Sequence, residues 1–203
     1  ELEDMIFRLR GKQIHKNLRW EELDIIVDSP LAASFNQAYV QLKQHWDDEA
    51  LQRNASGRHP LDFTQLTTIE DHQQHLALVS FLARSKKPAI VIAASGMCAG
   101  GRIVNYLKAM LENPVHQILF VGHQARGTPG AQILARAADK GFVVLDDHQY
   151  QINAEVLKVS GYSAHADQQD LLNFVAGMTV KPKEIRLVHG EESAKQALCE
   201  KLQ

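Results

Sequence analysis

Two histidines stand where a side chain could do chemistry. His165 follows the run VLKVSGYSA, and His189 follows IRLV. Each comes after an apolar, strand-like stretch, among small residues, and each is followed within two residues by an acid, Asp167 or Glu191. A side chain at the C-terminal tip of a buried strand is held rigidly and points into the crevice where open α/β sheets keep their chemistry. An imidazole there can move a proton near neutral pH or bind a metal. The plainer alternative is a pair of hydrogen-bonded core histidines.

Two glycine-rich turns are the next candidates. SGMCAGGR (95–102) follows the apolar strand Ala89–Ala94, and GHQARGTPG (122–130) follows Gln117–Val121; each opens a helix. Such turns present backbone N–H groups at helix N-termini, which suits an anion. Ser95, Gly96, Gly100, Gly101 and Arg102 in the first, and Gln124, Arg126, Gly127 and Thr128 in the second, are the expected phosphate-contacting residues. Neither turn is a Walker A motif or a clean GxGxxG, and ordinary turn chemistry is the competing reading. Beside Asp71, His72 and His75 stand at i,i+3 on a helix face, a conceivable metal pair, but no third ligand is nearby, so they read as solvated. His15, His45, His59, His116 and His148 sit in polar surroundings and read as surface. Asp28 ends a strand, and its partner cannot be named from sequence.

The elements that must position these residues follow from periodicity. Residues 1–18 read as a helix, Asp24–Asp28 as a short buried strand, and Ala32–Trp46 as a helix after Ser29-Pro30. Residues 47–60 read as a polar loop or short helix, Phe63–Thr68 as a weak strand, and Ile69–Ser85 as an amphipathic helix. A helix to about Glu112 follows the first glycine turn. Phe142–Leu145 and Gln151–Ser160 read as a hairpin around Asp146-Asp147-His148. A helix over 168–177, a strand over Ile185–Val188 and a final helix complete the chain. Apolar strands alternating with helices predict an α/β fold with a parallel, doubly covered sheet.

Composition narrows the classes. The 203 residues carry 22 basic and 24 acidic side chains, so no global positive field exists and any nucleic-acid contact must be local. Cys98 and Cys199 are in no metal spacing, which fits a reducing cytoplasm. No apolar run reaches the ~20 residues that span a bilayer. The chain begins with Glu, inside a helical pattern, which suggests a piece of a longer protein.

The segments IIVDSPLA (25–32), IVIAASGMCAGGRIVNYL (90–107), ILFVGHQARGTPG (118–130), VSGYSAHADQQDL (159–171) and IRLVHGEE (185–192) together resemble the β-CASP branch of the metallo-β-lactamase superfamily, the RNA-processing nucleases. The resemblance implies a β-CASP cap over 22–143. It implies a lead-in helix over 1–21 from a missing metallo-β-lactamase half, and a return of the chain into that domain over 144–203. It implies RNA as substrate and two zinc ions between the domains. A bridging hydroxide would attack phosphorus, and His165 would be the general acid for the leaving oxygen. His189 would complete the ligands of one zinc; DNA-acting relatives usually carry valine at that position. The family's HxHxDH ligands are absent, so this chain alone is expected to be metal-free and inactive, with self-association plausible. Two alternatives remain at this stage: a non-catalytic scaffold member of the same family, and a nucleotide- or phosphate-binding α/β module.

Overall fold

A computed structural model describes the whole chain except Ser160, Ser163, Ala164 and Gln203, and only the backbone of His15. Its residues divide into two compact units, Glu1–Val159 and Ser160–Gln203.

The first unit opens on helix α1 (Leu2–Arg8) and a small antiparallel hairpin, β1 (Gln13–His15) with β2 (Leu18–Arg19). The helix expected over 1–18 therefore stops early. Gly11, at φ +79, and a hydrogen bond from the Lys12 N–H back to the Leu9 carbonyl turn the chain out of it. The guanidinium of Arg58 ties α1 down. It donates to both carboxylate oxygens of Glu3 and to Asp4, and lies 4.0 Å over the Phe7 ring.

Strand β3 (Asp24–Asp28) is the centre of a parallel three-stranded sheet, flanked by β4 (Leu66–Thr68) and β5 (Ala89–Ala93). Its apolar run Ile25-Ile26-Val27 is buried throughout, as a central parallel strand requires. Between β3 and β4 come helices α2 (Pro30–Gln41) and α3 (Asp48–Ala55), capped by the side chains of Ser29 and Asp47. Helix α4 (His72–Leu82), capped by Asp71, links β4 to β5.

Helix α5 (Arg102–Met110) follows the first glycine turn, and α6 (Pro129–Arg136) follows the second. Strand β6 (Gln117–Phe120) lies between them. β7 (Phe142–Leu145) and β8 (His148–Gln151) form a hairpin whose two turn residues, Asp146 and Asp147, both have positive φ. That is the primed turn a two-residue hairpin needs. The return strand is thus 148–151 rather than the expected 151–160. The later segment β9 (Glu155–Lys158) instead pairs in parallel with β6. The parallel strands accordingly fall in two sheets, β4-β3-β5 and β6-β9. Leu107, Leu111, Phe120, Ile133, Val143 and Ile152 form one buried cluster that packs α5 and α6 on β6 and the hairpin.

The second unit contains α7 (Gln168–Ala176) and α8 (Glu192–Leu202). The strand expected over 185–188 is not formed. The segment has no sheet neighbour among the described residues, and Val188 is 77% exposed.

Candidate functional site

Asp28 closes β3 and is fully buried, so its charge demands partners. It has three. The Nη1 of Arg102 donates to Oδ1 at 2.5 Å, the Nδ1 of His75 lies 2.6 Å from Oδ2, and the Tyr106 hydroxyl donates to the same oxygen. The Asn105 amide nitrogen sits 2.9 Å from the far ring nitrogen of His75, a distance at which it donates. That pattern places the ring proton on Nδ1, aimed at the carboxylate. Arg102, Asn105 and Tyr106 reach one point because spacings of three and four put them on one face of α5. Burial pushes the Asp28 carboxyl up, but the hydrogen bonds from Tyr106, His75 and Arg102 outweigh it and hold the group below the usual carboxylate value. Burial, then the Asp28 hydrogen bond, raises the Tyr106 phenol. Arg102 also donates to the carbonyls of Ile69 and Glu70. The network therefore pins the tip of β3, the start of α5 and the approach to α4 together.

Asp28 pairs in register with Ala93, so the first glycine turn begins two residues beyond this network. The two glycine turns form one assembly. The Gln124 amide donates to the Gly96 carbonyl at 2.9 Å, the Ala125 N–H meets the Met97 sulfur at 3.3 Å, and the Gly130 N–H donates to the Met97 carbonyl at 3.1 Å. Gly101, at φ +76, lies so close to the Ala94 carbonyl that a Cβ would stand 2.8 Å from its oxygen. A Cβ on Gly130 would stand 1.8 Å from the Gln124 amide oxygen and would displace that side chain.

This packing revises the expected phosphate contacts. Arg102 donates to Asp28 and to two carbonyls, so its guanidinium holds the turn in place from within the protein. Gln124 stitches the two turns together. The Thr128 hydroxyl accepts from the Ala131 N–H as the cap of α6 and donates to the Ala125 carbonyl. The first amides of both helices are likewise spent within the protein, Ile103 on the Ala94 carbonyl and Gly130 on Met97. Arg126 is exposed and has no ion-pair partner among the described residues. The N–H groups of Gly96, Gly100, Arg126 and Gly127 take no part in the hydrogen bonds among the described residues. Ser95 is half-buried at the mouth of the first turn.

Both histidines belong to the second unit. His165 is exposed and lies two residues before the Asp167 cap of α7. Ser160, Ser163 and Ala164, in the tract that leads to it, lie outside the described residues. His189 is exposed, at φ +65, just before α8.

Residues 4–133 match the family model described as the Beta-Casp domain, well over half of the chain. The chain belongs to the β-CASP family. Its C-terminal part, residues 149–203, matches the model described as the Zn-dependent metallo-hydrolase RNA specificity domain. This β-CASP chain is 34% identical over 174 residues to Ribonuclease TTHA0252 of Thermus thermophilus, an alignment covering 86% of the chain and 38% of that protein. It is 39% identical over 109 residues to the transcription termination factor FttA of Pyrococcus horikoshii. It is 40% identical over 110 residues to FttA of Thermococcus kodakarensis. Each alignment covers 53% of the chain and 17% of the FttA protein. The chain thus spans well under half the length of these curated relatives.

The described residues of the β-CASP chain do not by themselves complete the zinc centre that the second match implies. Among the described residues no three His, Cys, Asp or Glu side chains come together as a metal group, and a zinc centre needs three or four ligands. Sequence reasoning misjudged His116, whose Nε2 is buried, and above all His75. Its face of α4 was expected to be solvated, yet its ring is fully buried between Asp28 and Asn105. The legible signal was a carboxylate ending an otherwise apolar strand, with Arg102, Asn105 and Tyr106 on one helical stripe.

Proposed function

We propose that this chain supplies the cap wall and the C-terminal histidines of an enzyme that hydrolyses RNA phosphodiester bonds. The carrying observation is the pair of glycine turns locked into one assembly, with Arg126 exposed in the second and N–H groups in both that are unused among the described residues, in a β-CASP chain similar to a protein named ribonuclease. A phosphate is the anion such donors suit. Arg126 and the amides of Gly96, Gly100 and Gly127 hold the backbone of the RNA, with Ser95 at the mouth. As a water-derived oxygen bonds to phosphorus, the bond from phosphorus to the 3′ oxygen breaks and His165 gives that leaving oxygen a proton. His189 would hold one ion of a two-zinc centre, with the remaining ligands supplied by the rest of the protein.

Cleavage assays on the whole protein test this reading. His165→Ala should abolish cleavage while zinc content, read by metal analysis, stays unchanged. His189→Ala should lower zinc occupancy. Full cleavage in either variant refutes the role given to that residue. Arg126→Gln should weaken binding of single-stranded RNA about tenfold, the loss of one hydrogen bond to a charged group; unchanged affinity would remove the turns from the RNA path.

A further inference from the structure

A second basic surface lies away from the glycine turns, and we infer that the β1–β2 hairpin is an additional contact for the RNA phosphate backbone. The inference rests on the RNA-handling role proposed above. Residues 10–19 contain Arg10, Lys12, Lys16 and Arg19 and no acid, in a chain whose acids outnumber its bases. All four side chains are exposed, and among the described residues none has an ion-pair partner. The two nearest acids in sequence are turned to the backbone. The Glu21 carboxylate accepts the Gly11 N–H at 2.9 Å, and Glu22 accepts the Arg19 N–H at 2.9 Å. They brace the hairpin; Glu21 lies within electrostatic reach of Arg19 and Arg10 but forms no ion pair with either among the described residues. Below it, Leu18 and Leu23 pack with Ile6 and Ile25, so the charged ribbon stands on a buried base.

The placement suits a strand of phosphates. The hairpin lies on the side of the sheet where β3 begins, and the glycine turns lie where β3 and β5 end. The five residues of β3 span roughly 16 Å, so a chain held at both ends contacts several successive phosphates. Unpaired cations on an extended ribbon contribute sequence-independent, salt-sensitive affinity. An acidic protein surface is the competing partner, and the test separates the two.

Binding of a fluorescein-labelled oligouridylate to the 203-residue chain is followed by anisotropy across a salt series. The variant R10Q/K12Q/K16Q should lose about tenfold in affinity at low salt. Its log–log salt slope should flatten by about 2, since each cation lost from a single-strand complex removes about 0.7. K16Q alone, at the tip of the hairpin, should flatten it by about 0.7 and guards against misfolding of the triple variant. An unchanged slope in both variants overturns the hairpin contact. Displacement of the RNA by polyglutamate at equal charge also overturns it, in favour of an acidic protein partner. R126Q run alongside keeps the two readings apart. If R126Q weakens binding and the hairpin variants do not, the hairpin fails alone; if the reverse, the glycine-turn reading fails alone. No binding by the unaltered chain defeats both.

Discussion

Asp28 shows how one residue sets the geometry of a site it does not enter. Its carboxylate has no solvent contact, and its three partners come from two different helices. Asp28→Ala should cost about 3–5 kcal/mol, because it strands the Arg102 charge in a largely buried setting. Urea melts of the two chains check this, and a loss under 1 kcal/mol would mean that the network is slack. The carboxyl titrates below its ordinary value in the folded protein. The contribution is therefore present above the unfolded carboxylate pKa of about 3.9 and is lost as pH falls through the lower folded value. Melts between pH 6 and pH 3 should show the unaltered chain losing stability with acid, and Asp28→Asn losing less. Identical pH profiles would contradict the linkage. His75 makes the same point for sequence reading: nothing in HQQHLALVSFL distinguishes the buried ring from its exposed neighbour His72. Which of two histidines on one face meets a carboxylate is decided by how α4 docks on α5, and that is tertiary information.

At the scale of elements, periodicity located β3, β5, α5 and β6 to within a residue or two, because buried parallel strands and capped amphipathic helices write strong local patterns. It overran at α1, where positive-φ Gly11 ends the helix, and mispaired the strand after Asp147. A hairpin and a parallel strand have the same local alternation, and only the long-range partner β6 distinguishes β9 from a hairpin arm. Gly101 is where the element level touches the site. Gly101→Ala should destabilise the chain by about 1–3 kcal/mol, from strain at positive φ and a clash with the Ala94 carbonyl. It should also weaken RNA binding by deforming the turn. A melting temperature equal to that of the unaltered chain would show the turn to be more compliant than its contacts indicate.

For the whole molecule, the second unit leaves much apolar surface uncovered. Phe174 is 68% and Val180 83% exposed, and a cavity of about 320 Å³ lined by Leu171, Phe174, Ile185 and Leu198 opens between α7 and α8. Surfaces of this kind associate. Sedimentation velocity at rising concentration should show oligomers of the chain, and Phe174→Glu should shift them toward monomer; a monomer at all concentrations would count against it. No helix among the described residues is long and apolar enough to cross a membrane. The pairing of β6 with β9 has a practical corollary. Ile152 and Ala154 belong to the same interior as Leu111 and Ile133, although the cap match itself ends at residue 133. An expression product trimmed at that boundary would discard the edge partner of β6 and one wall of its packing, and would come out of the cell insoluble. Anyone wishing to study the cap in isolation should carry the gene through residue 159.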